Sequence, residues 1–156
     1  MTSRVLNVLT RRFPRLLKKV VIGRGFRQIE FIKGASDAKT ELLYYPDAAG
    51  IKRAMLDADI AISAGGQTLG ELARCGVPTI AVAIAENQSV NIEGWKKAGF
   101  IEYAGRWDED GIFGRIHSIL GKFTDYDLRT KKSEAGRRSV DGRGSRRVVD
   151  YLLRGL

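Results

Sequence analysis

The stretch Ala58–Glu71, with the sequence ADIAISAGGQTLGE, decides the fold of this chain of 156 residues. Its apolar first half predicts a buried strand, Gly65 and Gly66 predict a tight turn, and Gln67 begins a predicted helix. In a parallel sheet such a turn lies at the carboxyl edge, where the next helix directs its free backbone N–H groups outward. The carboxylate of Glu71 lies one turn inside the same helix.

The residues after this helix repeat the pattern. Gly76 stands where a helix C-cap belongs, Thr79–Ile84 predict another buried strand, and the polar loop Ala85–Gln88 follows it. Backbone donors, a carboxylate and polar amides are therefore expected on one edge of the sheet. This arrangement can bind a nucleotide diphosphate, because the helix N-terminus takes the phosphates and the acid takes the ribose hydroxyls.

The whole chain predicts an α/β fold with a doubly wound parallel sheet and C-terminal helices. Thr79–Ile84 shows no polar alternation, as expected for a strand that is buried on both faces of a parallel sheet. Helices separate the predicted strands, which are residues 20–22, 42–45, 60–62, 79–84 and 100–103. We expect one domain over residues 1–156, with an α/β core at 1–122 and C-terminal helices at 123–156.

A helix predicted at residues 3–13 comes before the first strand, whereas a doubly wound domain usually begins with a strand. In the common strand order 3-2-1-4-5-6 the missing strand is the central one, and its absence exposes two buried edges. We therefore expect a longer protein, a partner chain or a rearranged sheet to fill the middle. A homo-oligomer is left open.

Basic charge is concentrated at the two ends of the chain, which has a formal net charge of +9. Residues 1–39 contain ten Lys or Arg residues and two acidic residues. Residues 129–156 contain nine Lys or Arg residues and three acidic residues. Basic ends can meet phosphate, an anionic membrane surface or nucleic acid, although a solvated face explains them equally well. The chain lacks the aromatic interleaving and the helix-turn-helix pattern of nucleic-acid readers, so no specific nucleic acid is expected.

The setting of the protein is predicted from its apolar runs and its cysteine content. No apolar run is long enough to cross a bilayer, and no signal peptide is recognisable, because Arg11 and Arg12 interrupt the first apolar stretch. The single cysteine, Cys75, cannot form an internal disulfide. We therefore expect a cytoplasmic protein, with a peripheral association with the membrane left open.

At Ala58–Glu71, Gly76–Pro78 and Ala85–Gln88 the sequence resembles the C-terminal nucleotide-binding half of GT-B-type nucleotide-sugar enzymes. It resembles in particular the family of the UDP-sugar hydrolase of pseudaminic acid biosynthesis and the spore-coat polysaccharide biosynthesis proteins. It is more distantly similar to the N-acetylglucosaminyl transferase that makes lipid II. Asp141–Gly144, before the final helix, extends the resemblance over nearly the whole chain.

The resemblance implies that the chain binds the UDP part of a UDP-sugar and needs no metal or other cofactor for this. The backbone N–H groups of Gly65 and Gly66 and the hydroxyl of Thr68 would contact the diphosphate. Glu71 would accept hydrogen bonds from the ribose hydroxyls. The other implied binding residues are Asn87, Gln88 and Asn91 toward the sugar, Tyr45 toward the uracil, and Arg24 at the border of the same cleft.

The sequence also departs from this family. There, a first domain supplies the catalytic base or water-positioning histidine and most of the acceptor site, and this sequence lacks it. The opening strand of the second domain and its glycine-rich loop are absent too. The only histidine, His117, matches no catalytic position of the family. We therefore assign no catalytic residue, expect no appreciable turnover from this chain alone, and expect the missing domain or a partner chain beside the UDP-sugar.

Each motif also has an ordinary structural explanation. Gly65 and Gly66 suit any tight turn, because glycine supplies backbone freedom, and Asn87 is expected to cap the next helix. Glu71 is favoured as functional, because a carboxylate near the sheet edge needs a partner.

Three functions stay open, in decreasing order of preference. The first is the donor half of a UDP-sugar hydrolase or glycosyltransferase of surface polysaccharide biosynthesis. The second is a half-subunit that needs a separate partner chain for glycosyl transfer. The third is a basic nucleic-acid-binding module.

Overall fold

The computed structural model describes residues 1–154, and the last two residues of the predicted C-terminal region lie outside it. Five strands and eight α-helices alternate along these residues. In chain order they are α1 (Thr2–Arg12), β1 (Lys18–Ile22), α2 (Ile29–Ala35), β2 (Thr40–Tyr44), α3 (Ala48–Leu56), β3 (Ala61–Ala64), α4 (Thr68–Cys75), β4 (Thr79–Ala83), α5 (Ser89–Lys97), β5 (Ile101–Arg106), α6 (Ile112–Lys122), α7 (Tyr126–Ser139) and α8 (Gly144–Leu153). A short 3-10 turn, Glu86–Gln88, precedes α5.

The strands form two parallel sheets instead of one. β1 pairs with β2, and β3, β4 and β5 pair in that order. The predicted α/β class is confirmed, and the break lies where the sequence predicts a missing central strand. The architecture is thus Rossmann-like and lacks a first strand, so that β1 and β3 are both edge strands.

Helices cover both faces of the three-stranded sheet, and β4 shows this most clearly. All five of its residues are buried, as the sequence predicts for a strand without polar alternation. Ile80 and Val82 pack with residues of α1 and α6. Ala81 and Ala83 pack on the opposite face with residues of α3, α4 and α5.

The two-stranded sheet is covered less completely. Alternate residues of β1 face α1 and α2 and are buried, whereas Lys19 and Val21 are exposed on the other face. The strand begins at Lys18, before the predicted start at Val20, and Lys18 is buried. Its ammonium group lies 2.8 Å from a carboxylate oxygen of Asp37, which makes the burial of this charge tolerable.

The helix α7 packs tightly onto α4. A Cβ added to Gly136 would lie 2.7 Å from Cδ2 of Phe100 and 3.0 Å from the carbonyl oxygen of Ala73. Gly76 ends α4 in the left-handed conformation with φ 74°, which confirms the predicted C-cap. The final helix α8 has no buried residue. Within residues 1–154 no helix has the length and apolarity that a membrane span requires.

Candidate functional site

The glycine turn between β3 and α4 is shaped by close packing. Gly65 is buried, and a Cβ at this position would lie 2.4 Å from Cδ1 of Ile92 and 3.2 Å from Cβ of Gln88. Neither Gly65 nor Gly66 has a positive φ. The expectation that these glycines supply backbone freedom is therefore wrong. Gly65 is required because α5 leaves no room for a side chain.

Two amide side chains of α5 and the preceding turn hold this glycine turn. Nδ2 of Asn91 donates to the carbonyl oxygens of Gly65 and Gly66 at 2.7 and 3.1 Å. Oε1 of Gln88 accepts a hydrogen bond from the N–H group of Ile84 at 3.0 Å. The resemblance implied that both amides reach toward a sugar. In this structure Nδ2 of Asn91 and Oε1 of Gln88 are engaged within the protein. They fix the turn and the end of β4 to each other.

The backbone donors of the turn differ from those expected. The N–H group of Gly65 donates to the carbonyl oxygen of Val82 at 3.1 Å, so it extends the pairing of β3 with β4 and cannot contact a phosphate. The N–H groups of Gly66, Gln67 and Thr68 have no hydrogen-bond acceptor in the described part of the chain. The available donors therefore begin one residue later than predicted, at the N-terminus of α4.

Glu71 lies in the first turn of α4 and is exposed. It forms no salt bridge and no side-chain hydrogen bond with any residue from 1 to 154. The expectation that this carboxylate lies where it needs a partner is wrong, because its side chain is exposed. Its position beside the open donors is as predicted. Thr68, the first residue of α4, is exposed as well.

Asn87 lies in the 3-10 turn that precedes α5 and is exposed. The N-cap of α5 is Gln88, without a side-chain capping bond, so the expectation that Asn87 caps this helix is wrong. The side chain of Gln88 is instead turned toward the end of β4. The Asn87 side chain therefore neither caps α5 nor is buried.

Arg24 and Tyr45 meet at the carboxyl ends of β1 and β2. The guanidinium carbon of Arg24 lies 5.8 Å from the centroid of the Tyr45 ring, which is within the range of a cation–π contact. Tyr45 has φ 49° and is the one non-glycine residue with a positive φ among those described. Its N–H group donates to the carbonyl oxygen of Ile22 at 2.9 Å. An aromatic residue in this region of backbone space is unusual and occurs at binding sites more often than elsewhere.

The predicted site residues thus form two groups. One group lies around the glycine turn on the three-stranded sheet and contains Gly65, Gly66, Thr68, Glu71, Gln88 and Asn91, with Asn87 in the 3-10 turn beside Gln88. The other group is the Arg24–Tyr45 pair on the two-stranded sheet. All strands within each sheet are parallel, so each group lies at a carboxyl edge. The break between β1 and β3 separates the two groups.

A charged cluster that the sequence did not predict follows β5. Nε and Nη2 of Arg106 bind the two carboxylate oxygens of Asp108, both at 3.2 Å. This contact lowers the pKa of the Asp108 carboxyl. Glu109 accepts a hydrogen bond from the N–H group of Arg106 and pairs with Arg115. The cluster could have been predicted from the charged residues that directly follow the buried strand β5. In a parallel sheet such residues lie at the same edge as the glycine turn.

Two concavities lie away from the glycine turn. One, of about 460 Å³, lies between Met1–Ser3 and residues 25–32, and the other, of about 320 Å³, lies between α7 and α8. Over residues 1–154 no three His, Cys, Asp or Glu side chains are grouped to hold a metal ion.

No protein-family model and no curated protein matches this chain.

Proposed function

We propose that the chain binds the UDP part of a UDP-sugar at the N-terminus of α4, as the donor half of a hydrolase or glycosyltransferase. The observation that carries the proposal is the set of unpaired N–H groups at Gly66, Gln67 and Thr68. An anion bound there would be held by backbone dipoles as well as by hydrogen bonds.

The glycine turn suits this role because it is held in place before any ligand binds. Asn91 binds the carbonyl oxygens of Gly65 and Gly66, and Ile92 packs against Gly65. The carbonyl groups are therefore directed toward α5, and the donors that follow are left open. Donors that need no rearrangement stabilise a developing charge better than mobile ones do.

The remaining parts of the nucleotide are assigned to side chains near the same edge. Glu71 is one turn inside α4 and has no protein partner in the described residues, so its oxygens are free to accept from ribose hydroxyls. The hydroxyl of Thr68 adds a donor at the first helical position. The Arg24–Tyr45 pair offers an aromatic face and a cation on the other side of the break in the sheet.

The chemistry assigned to this chain is stabilisation of the leaving diphosphate. Cleavage of the bond between the sugar and UDP leaves negative charge on the diphosphate, and one fixed donor of this kind is typically worth roughly 3–4 kcal/mol of barrier. No residue of this chain is assigned as the base that activates water or an acceptor hydroxyl. We propose that a further domain or chain supplies it and that the reaction takes place in the cytoplasm.

Calorimetric titration of the whole chain with UDP, CDP and GDP tests the proposal. Glu71→Ala should weaken UDP binding by about 1–3 kcal/mol, as expected for the loss of a hydrogen-bond acceptor. Glu134→Ala is the matched control, because Glu134 is an exposed helical acid on α7. A folded chain that binds no UDP, or a Glu71→Ala variant that binds as well as the control, would overturn the proposal. Equal binding of the three nucleotides would remove the preference for uracil.

A further inference from the structure

We propose that the break between β1 and β3 is a docking site for one apolar β-strand of another polypeptide, which pairs in parallel with both edges. This inference concerns the sheet and does not depend on nucleotide binding. It rests on the direction of the backbone groups at the two edges, on the helix that bridges them and on a contrast with the outer edge of β5.

The free hydrogen-bonding groups of β1 can be assigned from its pairing with β2. The N–H group of Lys18 donates to Lys39, and the carbonyl oxygen of Ile22 accepts from Tyr45. The backbone N–H and C=O groups of successive residues point to opposite sides of a strand. Val20 therefore faces β2 like Lys18 and Ile22, whereas Lys19 and Val21 direct these groups away from β2. Neither N–H group has a backbone acceptor in the described chain.

The free hydrogen-bonding groups of β3 can be assigned from its pairing with β4. The N–H groups of Ala61 and Gly65 donate to carbonyl oxygens of the β4 segment, at 2.9 and 3.1 Å. The groups of Ile62 and Ala64 therefore point away from β4, toward the break. All four residues of β3 are only half-buried, although the sequence of this strand is that of a sheet interior.

The edges of β1 and β3 flank the break and run in the same direction. Nζ of Lys19, near the start of β1, lies 3.1 Å from Oδ2 of Asp57, which precedes β3. Both strands therefore begin at the same edge of the molecule. The helix α1 bridges them, since Leu6 packs with residues of β1 and Val5 belongs to the cluster against which Ile62 of β3 packs.

The outer edge of β5 shows how this fold protects an edge. Nζ of Lys132 donates to the carbonyl oxygen of Ile101 at 3.2 Å, and Nε of Arg115 donates to that of Ala104. Such capping by charged side chains is a usual protection against pairing with another chain. No side chain of residues 1–154 donates to the carbonyl groups of Lys19, Val21, Ile62 or Ala64 on that side, apart from the local contact of the Ser63 hydroxyl with Ala64.

The chemistry of the partner follows from what surrounds the break. β1 and β3 are five and four residues long, so a strand of that length can pair with both. One face of the strand would lie under α1, beside Val5 and Leu6. The other would lie beside Ala61 of β3, on the side of α3, and beside the exposed Val21 of β1. Because apolar residues flank the break on both faces, the strand needs apolar residues. Its affinity would come from main-chain hydrogen bonds, as in other strand-addition complexes.

Amide hydrogen exchange of the whole chain, resolved by residue with NMR, tests the proposal. The probe is a synthetic peptide of alternating Val and Ile residues, and the control peptide carries one central Pro, which cannot donate to the sheet. We expect the amides of Lys19, Val21, Ile62 and Ala64 to exchange rapidly in the free chain. With the Val–Ile peptide they should exchange at least about ten times more slowly, because exchange then requires local opening of the added pairing. The Pro peptide should leave them unchanged.

A second variant separates weak affinity from a wrong proposal. The same five-residue strand is joined ahead of Met1 through three glycines. The start of α1 lies beside the loop that follows the carboxyl end of β1, so the added strand can enter the break through a short turn. The link raises its effective concentration to the millimolar range. If the fused strand fails to protect the four amides, the proposal is overturned.

Two other outcomes would also overturn it. Protection of the four amides in the free chain at high dilution would mean that β1 and β3 close on each other. Protection that rises with the concentration of the chain alone would mean that a second copy occupies the break. Nucleotide titration is independent of these readouts, so failure of strand docking and failure of UDP binding are distinguishable.

Discussion

The Cα of Gly65 packs so closely against Ile92 that a Cβ on Gly65 would lie 2.4 Å from Cδ1 of Ile92. The contact joins the end of β3 to α5, and it fixes the position of the donors at the start of α4. Gly66, the next residue, lies in more open space, since a Cβ there would meet no heavy atom closer than Nε2 of Gln88 at 3.9 Å.

This difference predicts opposite behaviour of two neighbouring substitutions. Gly65→Ala should lower the free energy of unfolding by about 1–3 kcal/mol, because the added methyl group overpacks a buried contact. Gly66→Ala should change it by less than about 0.5 kcal/mol, as substitutions outside such contacts do. Urea denaturation followed by circular dichroism measures both. Equal effects of the two substitutions would contradict the packing explanation.

The Asn91 side chain should be needed to hold the turn. Asn91→Ala removes two hydrogen bonds to the carbonyl oxygens of Gly65 and Gly66, and each such bond is worth about 0.5–1.5 kcal/mol. We expect lower stability and weaker UDP binding together, since the donors of α4 lose their support. Asn87→Ala is the neighbouring control, because that side chain is exposed. If Asn87→Ala destabilises the chain as much as Asn91→Ala, the turn is not held in this way.

Much of the fold could be predicted from short-range pattern. The uninterrupted apolar run of β4 and the glycine after α4 indicated a fully buried strand and a left-handed C-cap, and the structure has both. The break in the sheet followed from counting strands against the usual order. The true start of β1 could not be predicted, because the burial of Lys18 depends on Asp37, a residue distant in sequence.

The position of the candidate site in the sheet could be predicted, but the roles of its residues could not. Gly65 was placed correctly at the carboxyl edge, but its reason for being glycine is the approach of Ile92 from another helix. The resemblance implied only that Asn91 reaches toward a sugar. Its bonds to the turn span 25 residues or more and leave no local pattern in the sequence. Tyr45 was expected at the same edge, and its positive φ could be seen only in the folded chain.

The buried ammonium group of Lys18 should make stability depend on pH through Asp37. Hydrogen bonds from Lys18 and then Thr40 hold the pKa of the Asp37 carboxyl below its usual value of 3.8. A carboxyl whose pKa is lower in the folded state contributes stability above its unfolded pKa, and the contribution is lost as the pH falls through the folded value. Asp37→Asn should therefore destabilise the chain at pH 6, and its difference from the wild type should shrink as the pH falls below about 4.

Thermal unfolding of both proteins between pH 2.5 and 7 measures this dependence. Asp59→Asn is the matched control, because Asp59 is exposed. Its unfolding should follow that of the wild type throughout. A constant difference between Asp37→Asn and the wild type across the whole range would show that the Lys18–Asp37 pair does not titrate with folding.

Lys132 should protect the outer edge of β5 as well as stabilise the core. Its ammonium group lies 2.7 Å from Oε1 of Glu102 and donates to the carbonyl oxygens of Gly99 and Ile101. Lys132→Met keeps most of the buried stem but leaves these acceptors without a partner. Leaving a buried acceptor unsatisfied costs about 1–3 kcal/mol, so we expect a loss of that size in urea denaturation. The neighbouring Lys131→Met serves as the control, because Lys131 is exposed and its substitution removes the same charge.

The same substitution should also expose the outer edge of β5. Since the carbonyl groups of β5 become available to another chain, Lys132→Met should self-associate at concentrations where Lys131→Met stays monodisperse in size-exclusion chromatography. A destabilised variant that does not self-associate would mean that Lys132 stabilises α7 against β5 without guarding the edge.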